Sequence, residues 1–149
     1  MRCVVQRVTA ASVVVDGKVV GAIGRGLVAL IGVAKGDGPA DIDYVASKIR
    51  GLRVFADEQG KMNRSVDDVG GSVLAISQFT LLGDVRDGKR PGFSDAAPGA
   101  VAREAYEAVV LAIRHGGIPV ETGIFQADMA LTLTNDGPVT ILIDSRRAF

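Results

Sequence analysis

Residues 73 to 82 read Val-Leu-Ala-Ile-Ser-Gln-Phe-Thr-Leu-Leu, an apolar stretch of strand length that carries three polar side chains. Because apolar residues flank Ser77, Gln78 and Thr80 on both sides, the pattern predicts a buried strand over the whole stretch. A buried hydroxyl or amide without a partner costs about 1–3 kcal/mol, so each of these groups needs one. The stretch therefore predicts either a polar binding site at the end of a core strand or a satisfied network inside the core.

A second segment, residues 131 to 143, reads Leu-Thr-Leu-Thr-Asn-Asp-Gly-Pro-Val-Thr-Ile-Leu-Ile. From the residues alone a hairpin turn at Asp136-Gly137 is favoured, since Asp-Gly supplies the positive φ angles that such a turn needs. Pro138 complicates the turn because it has no N–H group to donate to a neighbouring strand. The alternative is a fixed Gly137–Pro138 bond in the cis form, which would aim two backbone carbonyls in set directions.

The rest of the chain predicts strands interrupted by two helices. Asp16-Gly17 lies between two valine runs and predicts a hairpin, and the continuous apolar run 27–33 predicts a buried central strand. Apolar residues recur at helical spacing from Pro39 to Leu52 and again over 98–115. The sequence therefore predicts an α/β or α+β fold with a mixed sheet and two main helices.

Length and charge limit the function classes. A chain of 149 residues suits one domain, spanning 1–149, and its hydrophobic content of 48% excludes disorder. The formal net charge is zero, so a nucleic acid would be held through a small local patch instead of a broad basic face. The single cysteine, Cys3, excludes an internal disulfide. With no signal peptide and no long apolar run in the sequence, a cytoplasmic location is expected.

The sequence lacks the usual motifs of catalysis by protein side chains. It has no phosphate-binding loop, no dinucleotide motif and no nucleophile elbow. Its one histidine, His115, falls at the end of a predicted helix, whereas a serine or threonine nucleophile normally needs a base beside it. We therefore expect Ser77 and Thr80 to position a substrate by hydrogen bonds, with the nucleophile supplied by water or by the substrate itself.

The motifs Ser77-Gln78-Phe79-Thr80-Leu81 and Asn135-Asp136-Gly137-Pro138-Val139-Thr140 closely resemble those of D-aminoacyl-tRNA deacylases, and the similarity covers nearly the whole chain. The resemblance implies the DTD-like fold, with a mostly antiparallel or barrel-like sheet. It implies hydrolysis of the ester between a D-amino acid and the 3′-terminal adenosine of tRNA, and activity on glycine mischarged onto tRNA. It also implies a homodimer with active sites at the subunit interface, no cofactor or metal, and no membrane or DNA partner.

The resemblance also assigns roles to residues. It implies a cis Gly137–Pro138 bond that enters the partner subunit's site and excludes an L side chain, with Arg7 helping to hold it. It places these residues in the substrate pocket: Ser77, Gln78, Phe79, Thr80, Phe125 and Met129.

A rigid main-chain wall would reject an L side chain by steric clash while tolerating many D side chains, and glycine would have nothing to clash. The 2′-hydroxyl of the tRNA, next to the ester, would assist hydrolysis in place of a protein base, and Thr80 is the competing nucleophile. Two other classes stay open from the sequence: a non-catalytic module that binds the tRNA end, and a dimeric structural protein whose polar strand is only a core network.

Overall fold

The computed structural model describes all residues from Met1 to Phe149. The chain forms eight strands, two α-helices and one short 3-10 helix over Phe79–Leu82. In chain order the α-helices and strands are β1 (Arg2–Val15), β2 (Lys18–Ile23), β3 (Gly26–Gly32), α1 (Pro39–Gly51), β4 (Phe55–Ala56), β5 (Met62–Arg64), β6 (Ser72–Ser77), α2 (Gly99–His115), β7 (Val120–Thr122) and β8 (Ala130–Asp144).

Six of the strands form one mixed sheet in the order β2-β1-β3-β6-β7, with β8 paired to the other edge of β1. β1 runs antiparallel to β2, β3 and β8, whereas β6 runs parallel to both β3 and β7. The sheet curls until its ends meet, because Gly21 of β2 lies so near β7 that a Cβ there would be 2.6 Å from the Thr122 carbonyl oxygen. The predicted mixed α/β class with a barrel-like sheet is confirmed.

The central strands β3 and β6 are apolar on both faces, as expected for parallel strands that are covered on both sides. Val73 and Ala75 of β6 join the core under the helices, whereas Leu74 and Ile76 point to a second, smaller cluster on the opposite face. Helices α1 and α2 pack against each other and cover the larger core. Neither helix is long and apolar enough to cross a membrane.

Two of the local predictions are wrong in an informative way. The strand expected over 73–82 ends at Ser77, where the backbone turns into the 3-10 helix. The hairpin turn favoured at Asp136-Gly137 is absent, because residues 130–144 form a single strand. Its pairing with β1 shifts register at two places, at a bulge over residues 136–139 and again between Val8 and Ala10. The Asp16-Gly17 hairpin is confirmed, since both residues have positive φ angles and join β1 to β2.

Candidate active site

A cavity of about 740 Å³ opens at the carboxyl end of β6. Its floor is made by Ser77, Gln78 and Phe79, which follow directly on the last buried residue of that strand. The remaining lining residues come from the end of β3 and from β6, from the residues before and at the start of α2, and from the segment that leads into and begins β8, namely Val33, Ile76, Ala96, Ala97, Gly99, Ala102, Phe125, Gln126, Ala127, Asp128, Met129 and Leu131. The carboxyl end of a parallel strand is a common place for a ligand site in open α/β sheets.

The end of β6 explains why three polar side chains occur in an apolar stretch. The Gln78 N–H still donates to the Ile31 carbonyl at 2.7 Å, and then the chain leaves the sheet. The Gln78 amide reaches across the turn and donates a hydrogen bond to the Thr80 hydroxyl. Gln78 is half-buried and Thr80 is exposed, so these polar groups lie at the surface end of the strand and not within the core.

Phe125 forms an aromatic wall of the cavity, and Tyr106 of α2 packs against it. Its ring packs against Phe125 at 6.2 Å between centroids, and its hydroxyl donates to the Ala75 carbonyl at 2.8 Å. Burial raises the pKa of Tyr106 to about 12, so the hydroxyl stays protonated and keeps donating. The Arg103 guanidinium lies 4.9 Å from the centroid of Phe125, and Phe125 is therefore fixed between α2 and the cavity.

The cavity holds no protein group suited to general-base catalysis at its floor. The single histidine, His115, ends α2, whereas Gly99 at the other end of that helix lines the cavity. At the usual helical rise the two ends are about 24 Å apart. Among the cavity-lining residues only Asp128 is acidic, and it is exposed at the rim. The residues that line the cavity therefore include no histidine, and the positioning role expected of Thr80 stays a prediction.

Arg7, Asp136, Gly137 and Pro138 form a second cluster on β1 and β8. The Arg7 guanidinium donates to the Asp136 carbonyl at 3.1 Å and to the Val54 carbonyl at 2.5 Å. Gly137 has a φ of +128°, and a Cβ there would lie 2.9 Å from a methyl of Val139 and 3.1 Å from the Arg7 guanidinium. The Gly137–Pro138 peptide bond is cis.

Asn135 closes this bulge from its other side. Its side-chain oxygen accepts a hydrogen bond from the Val139 N–H at 2.7 Å, and its amide nitrogen donates to the Thr140 hydroxyl at 3.0 Å. The main chain at Gly137 and Pro138 is therefore fixed by Arg7 on one side and by Asn135 on the other. Both Gly137 and Pro138 are exposed, so the fixed segment projects from the surface of the chain.

The structure divides the predicted site residues into two groups. Five of them line the cavity, in the order Ser77, Gln78, Phe79, Phe125 and Met129, and Thr80 is tied to this group by its bond to Gln78. The second group does not line the cavity and consists of Arg7, Gly137 and Pro138. Leu131 of β8 lines the cavity, and Gly137 follows six residues later on the same strand. Such a stretch of strand spans roughly 15–20 Å. Within one chain the second group does not border the cavity.

Sequence reasoning missed several residues that shape the site. Asn135 lies in the motif of residues 135–140, and asparagine side chains commonly fix turns by hydrogen bonds to the backbone, which is the signal that indicates its role. Phe93 packs edge-on against Phe79 at 5.0 Å, but nothing in the sequence pairs these two rings. Gln126 lines the cavity with a φ of +64°, and no residue pattern signals that conformation for a glutamine.

Known proteins resemble this chain over its full length. A family model described as D-Tyr-tRNA(Tyr) deacylase matches residues 4–144. A relative from Anaeromyxobacter dehalogenans, named D-aminoacyl-tRNA deacylase, is 60% identical over 149 residues, which cover 100% of both chains. A solved structure titled "c-Myc DNA Unwinding Element Binding Protein" superposes with a TM-score of 0.92 and 41% identity, covering 97% of this chain and 98% of that one.

A further solved structure, titled "Structural Analysis of a probable eukaryotic D-amino acid tRNA deacylase", has the same fold, with a TM-score of 0.78 at 17% identity over 95% of this chain and 97% of that one. The cavity with its polar floor, taken with these matches, defines the class: the protein is an enzyme, a hydrolase of the deacylase type. The chain belongs to the D-Tyr-tRNA(Tyr) deacylase family. The family predicted from the two motifs is thereby confirmed.

Proposed function

We propose that the protein hydrolyses the ester that links a D-amino acid to the 3′-terminal adenosine of tRNA, and the corresponding ester of glycine. The observation that carries this proposal is the cavity at the end of β6, with Ser77, Gln78 and Phe79 as its floor and Phe125 as an aromatic wall. A cavity of about 740 Å³ has room for an aminoacylated nucleoside. Only the acceptor end of the tRNA needs to enter it, which suits a chain with no net charge.

The reaction that we propose relies on positioning and on the RNA, with no protein base. The aminoacyl ester is already activated, and the 2′-hydroxyl beside it supplies a polar group close to the attacking water. The Gln78 amide and the Thr80 hydroxyl, which are hydrogen-bonded to each other, orient the ester. No histidine lies within reach of the cavity floor, which supports a mechanism in which the protein orients the ester and the RNA assists the attacking water.

Chiral selection in this proposal requires a second copy of the chain. The segment at Gly137 and Pro138 is exposed and fixed, yet it lies roughly 15–20 Å along β8 from the cavity of its own chain. In a two-fold dimer each projecting segment would cover the partner's cavity, since the same surfaces meet on both sides. A wall of main-chain carbonyls in that position would clash with an L side chain and leave D side chains and glycine free.

A deacylation assay tests the proposed reaction directly. We expect the protein to release D-tyrosine from D-tyrosyl-tRNA and glycine from glycyl-tRNA(Ala), and to leave L-tyrosyl-tRNA intact. Replacing the 2′-hydroxyl of the terminal adenosine by hydrogen should slow the D reaction by at least about 100-fold, since a group placed beside the reacting ester is lost. Equal hydrolysis of the D and L esters contradicts the stereochemical part, and no hydrolysis of either contradicts the whole proposal.

A complementation experiment tests the composite site. Gln78→Ala removes a group from the cavity, and Gly137→Ala distorts the projecting segment, so each variant should be inactive as a homodimer. In a mixed dimer one of the two sites combines an unchanged cavity with an unchanged segment. After unfolding and refolding together in equal amounts, the two variants should recover about a quarter of wild-type activity. No recovery, with mixed dimers demonstrated by mass spectrometry, would show that each chain carries its own complete site.

A further inference from the structure

Gln126 has a backbone conformation that residues with a Cβ atom rarely adopt. Its φ of +64° lies in the left-handed region, where an L residue brings its Cβ close to the following carbonyl oxygen. Glycine and asparagine enter this region readily, whereas glutamine does not. Only two other non-glycine residues of the chain have a positive φ, Asp16 in the β1–β2 turn and Arg147 near the C-terminus, and neither borders the cavity. Strained residues of this kind concentrate at ligand sites.

The Gln126 amide is placed at the cavity rim and has no partner in the protein. Its side chain lies against Gly99, the first residue of α2, so closely that a Cβ at position 99 would overlap the amide nitrogen. Both residues line the cavity, and Gln126 is exposed to it. The amide makes no hydrogen bond to another group of the chain, which leaves one acceptor oxygen and two donor hydrogens available.

We propose that Gln126 is a specificity-determining residue that reads the edge of the adenine base at the 3′ end of the tRNA. The inference rests on the function proposed above. Phe125, the preceding residue, offers an aromatic ring to the flat face of a base. An amide next to that ring meets the edge of the same base, where adenine presents its 6-amino donor beside the ring-nitrogen acceptor. A carboxamide matches this pair with its oxygen and its N–H group.

The other polar group at the rim fits the base less well. Asp128 is exposed and lines the same cavity, but a carboxylate only accepts hydrogen bonds and is repelled by a ring nitrogen. We place the ester at Ser77 and Gln78, so the base would contact the part of the lining that Phe125 and Gln126 provide. In this proposal Gln126 is the group that distinguishes adenine from a purine without the 6-amino group.

The test uses two stable ligands that differ only at that amino group. One is 3′-(D-tyrosylamino)-3′-deoxyadenosine, in which an amide replaces the ester, and the other is the same compound with unsubstituted purine as its base. Calorimetry on the wild-type protein should find the purine compound bound about tenfold more weakly. Gln126→Ala and Gln126→Gly should each bind the adenosine compound about tenfold more weakly than the wild type and should no longer distinguish the two ligands.

Thermal stability separates ligand recognition from a purely structural role. Gln126→Gly should melt about 2–4 °C above Gln126→Ala, because only glycine accepts the left-handed conformation without strain. Gln59→Ala is the matched control, since this exposed glutamine lies in the turn between β4 and β5 and should leave the tenfold preference unchanged.

Equal affinity of the wild-type protein for the two ligands would overturn the inference, as would a preference that survives in both Gln126 variants. If the wild-type protein binds neither ligand, Gln126 reads no base there and the inference also fails. Deacylation of D-tyrosyl-tRNA by the same preparation then decides the proposed function separately. If the protein is active but shows no preference for adenine, only the inference about Gln126 is contradicted. If the protein is inactive, both that inference and the proposed function are contradicted.

Discussion

The Arg7 guanidinium contacts Asp136 twice, with its Nε atom 3.1 Å from the carbonyl oxygen and 3.3 Å from the carboxylate. The same side chain donates to the Val54 carbonyl, so one planar group joins β8 to the segment before β4. Arg7 is only 15% exposed, and its hydrogen bonds to backbone oxygens are therefore partly shielded from water. This arrangement ties the position of Gly137 to a residue on another strand.

Arg7→Lys should disturb the projecting segment while leaving a positive charge in place. A lysine has a single ammonium group and cannot reach two carbonyls in the fixed directions of a guanidinium. We expect a loss of about tenfold in kcat/KM for D-tyrosyl-tRNA and a decrease of about 1–2 kcal/mol in the free energy of unfolding. Arg53→Lys, at an exposed arginine, is the control. Unchanged kinetics for Arg7→Lys would mean that the guanidinium does not hold the segment in its working position.

Gly137→Ala should damage activity more than stability. The left-handed φ of +128° strains any residue with a Cβ, and the added carbon would crowd Val139 and Arg7. We expect kcat/KM for D-tyrosyl-tRNA to fall by more than about 100-fold, with about 1–2 kcal/mol lost from the free energy of unfolding. Gly17→Ala is the matched control, because Gly17 also has a positive φ but has open space around it. A similar loss of activity in both variants would assign the effect to general destabilisation.

Tyr106→Phe removes one buried hydrogen bond without changing the shape of the ring. The Ala75 carbonyl then loses its donor, which should lower the free energy of unfolding by about 1–2 kcal/mol in urea denaturation. The lost hydrogen bond is what anchors the ring that packs against Phe125, so we expect KM to rise while kcat stays nearly constant. A fall in kcat with an unchanged KM would place the effect on the reacting ester instead of on binding.

Patterns of hydrophobicity and turn residues predicted the fold well. The Asp16-Gly17 turn, the central strand β3 and both helices follow from local sequence, because each depends on residues that are neighbours in the chain. The strand predicted over 73–82 was too long because Phe79 and Leu82 continue the apolar pattern within a 3-10 helix. In that helix Leu82 is buried and Phe79 is exposed, and the pattern of apolar residues alone cannot distinguish this from a strand.

The candidate site was predictable only where it lies within a single motif. Ser77, Gln78 and Phe79 are neighbours in the chain and line the cavity together, and Thr80 is joined to Gln78 by a hydrogen bond. The link between Arg7 and Asp136 joins residues far apart in sequence, and only the resemblance to a family indicated it. The cavity wall at the start of α2 is built from small apolar residues such as Ala102, which carry no chemical signal. Long-range packing places these groups, and no local pattern encodes it.

Asp37→Asn should destabilise the fold without touching the cavity. The amino nitrogen of Met1 lies 2.8 Å from the Asp37 carboxylate, and both groups are fully buried. Removing one partner leaves an uncompensated charge in the interior, so we expect the free energy of unfolding to fall by about 3–5 kcal/mol. Asp43→Asn, at an exposed aspartate of the helix α1 that follows Asp37, should change it by less than about 0.5 kcal/mol. Equal stability of the two variants would show that the pair contributes little.

Thr80→Val and Thr80→Ser together decide whether the hydroxyl attacks the ester or only positions it. Valine keeps the shape of threonine but cannot accept the hydrogen bond from Gln78, whereas serine keeps the hydroxyl. If the hydroxyl positions the ester, Thr80→Val should retain measurable activity, with kcat lowered by about 10- to 100-fold, and Thr80→Ser should stay within about fivefold of wild type.

A nucleophilic Thr80 predicts a different result for both variants. Thr80→Val would then have no activity above the uncatalysed rate, because the attacking atom is gone. Rapid mixing of D-tyrosyl-tRNA with wild-type protein would also reveal a burst of released tRNA and a covalent D-tyrosyl ester on Thr80, detectable by mass spectrometry after acid quench. We expect no burst and no adduct, because the Thr80 hydroxyl has an amide as its neighbour and no base to remove its proton.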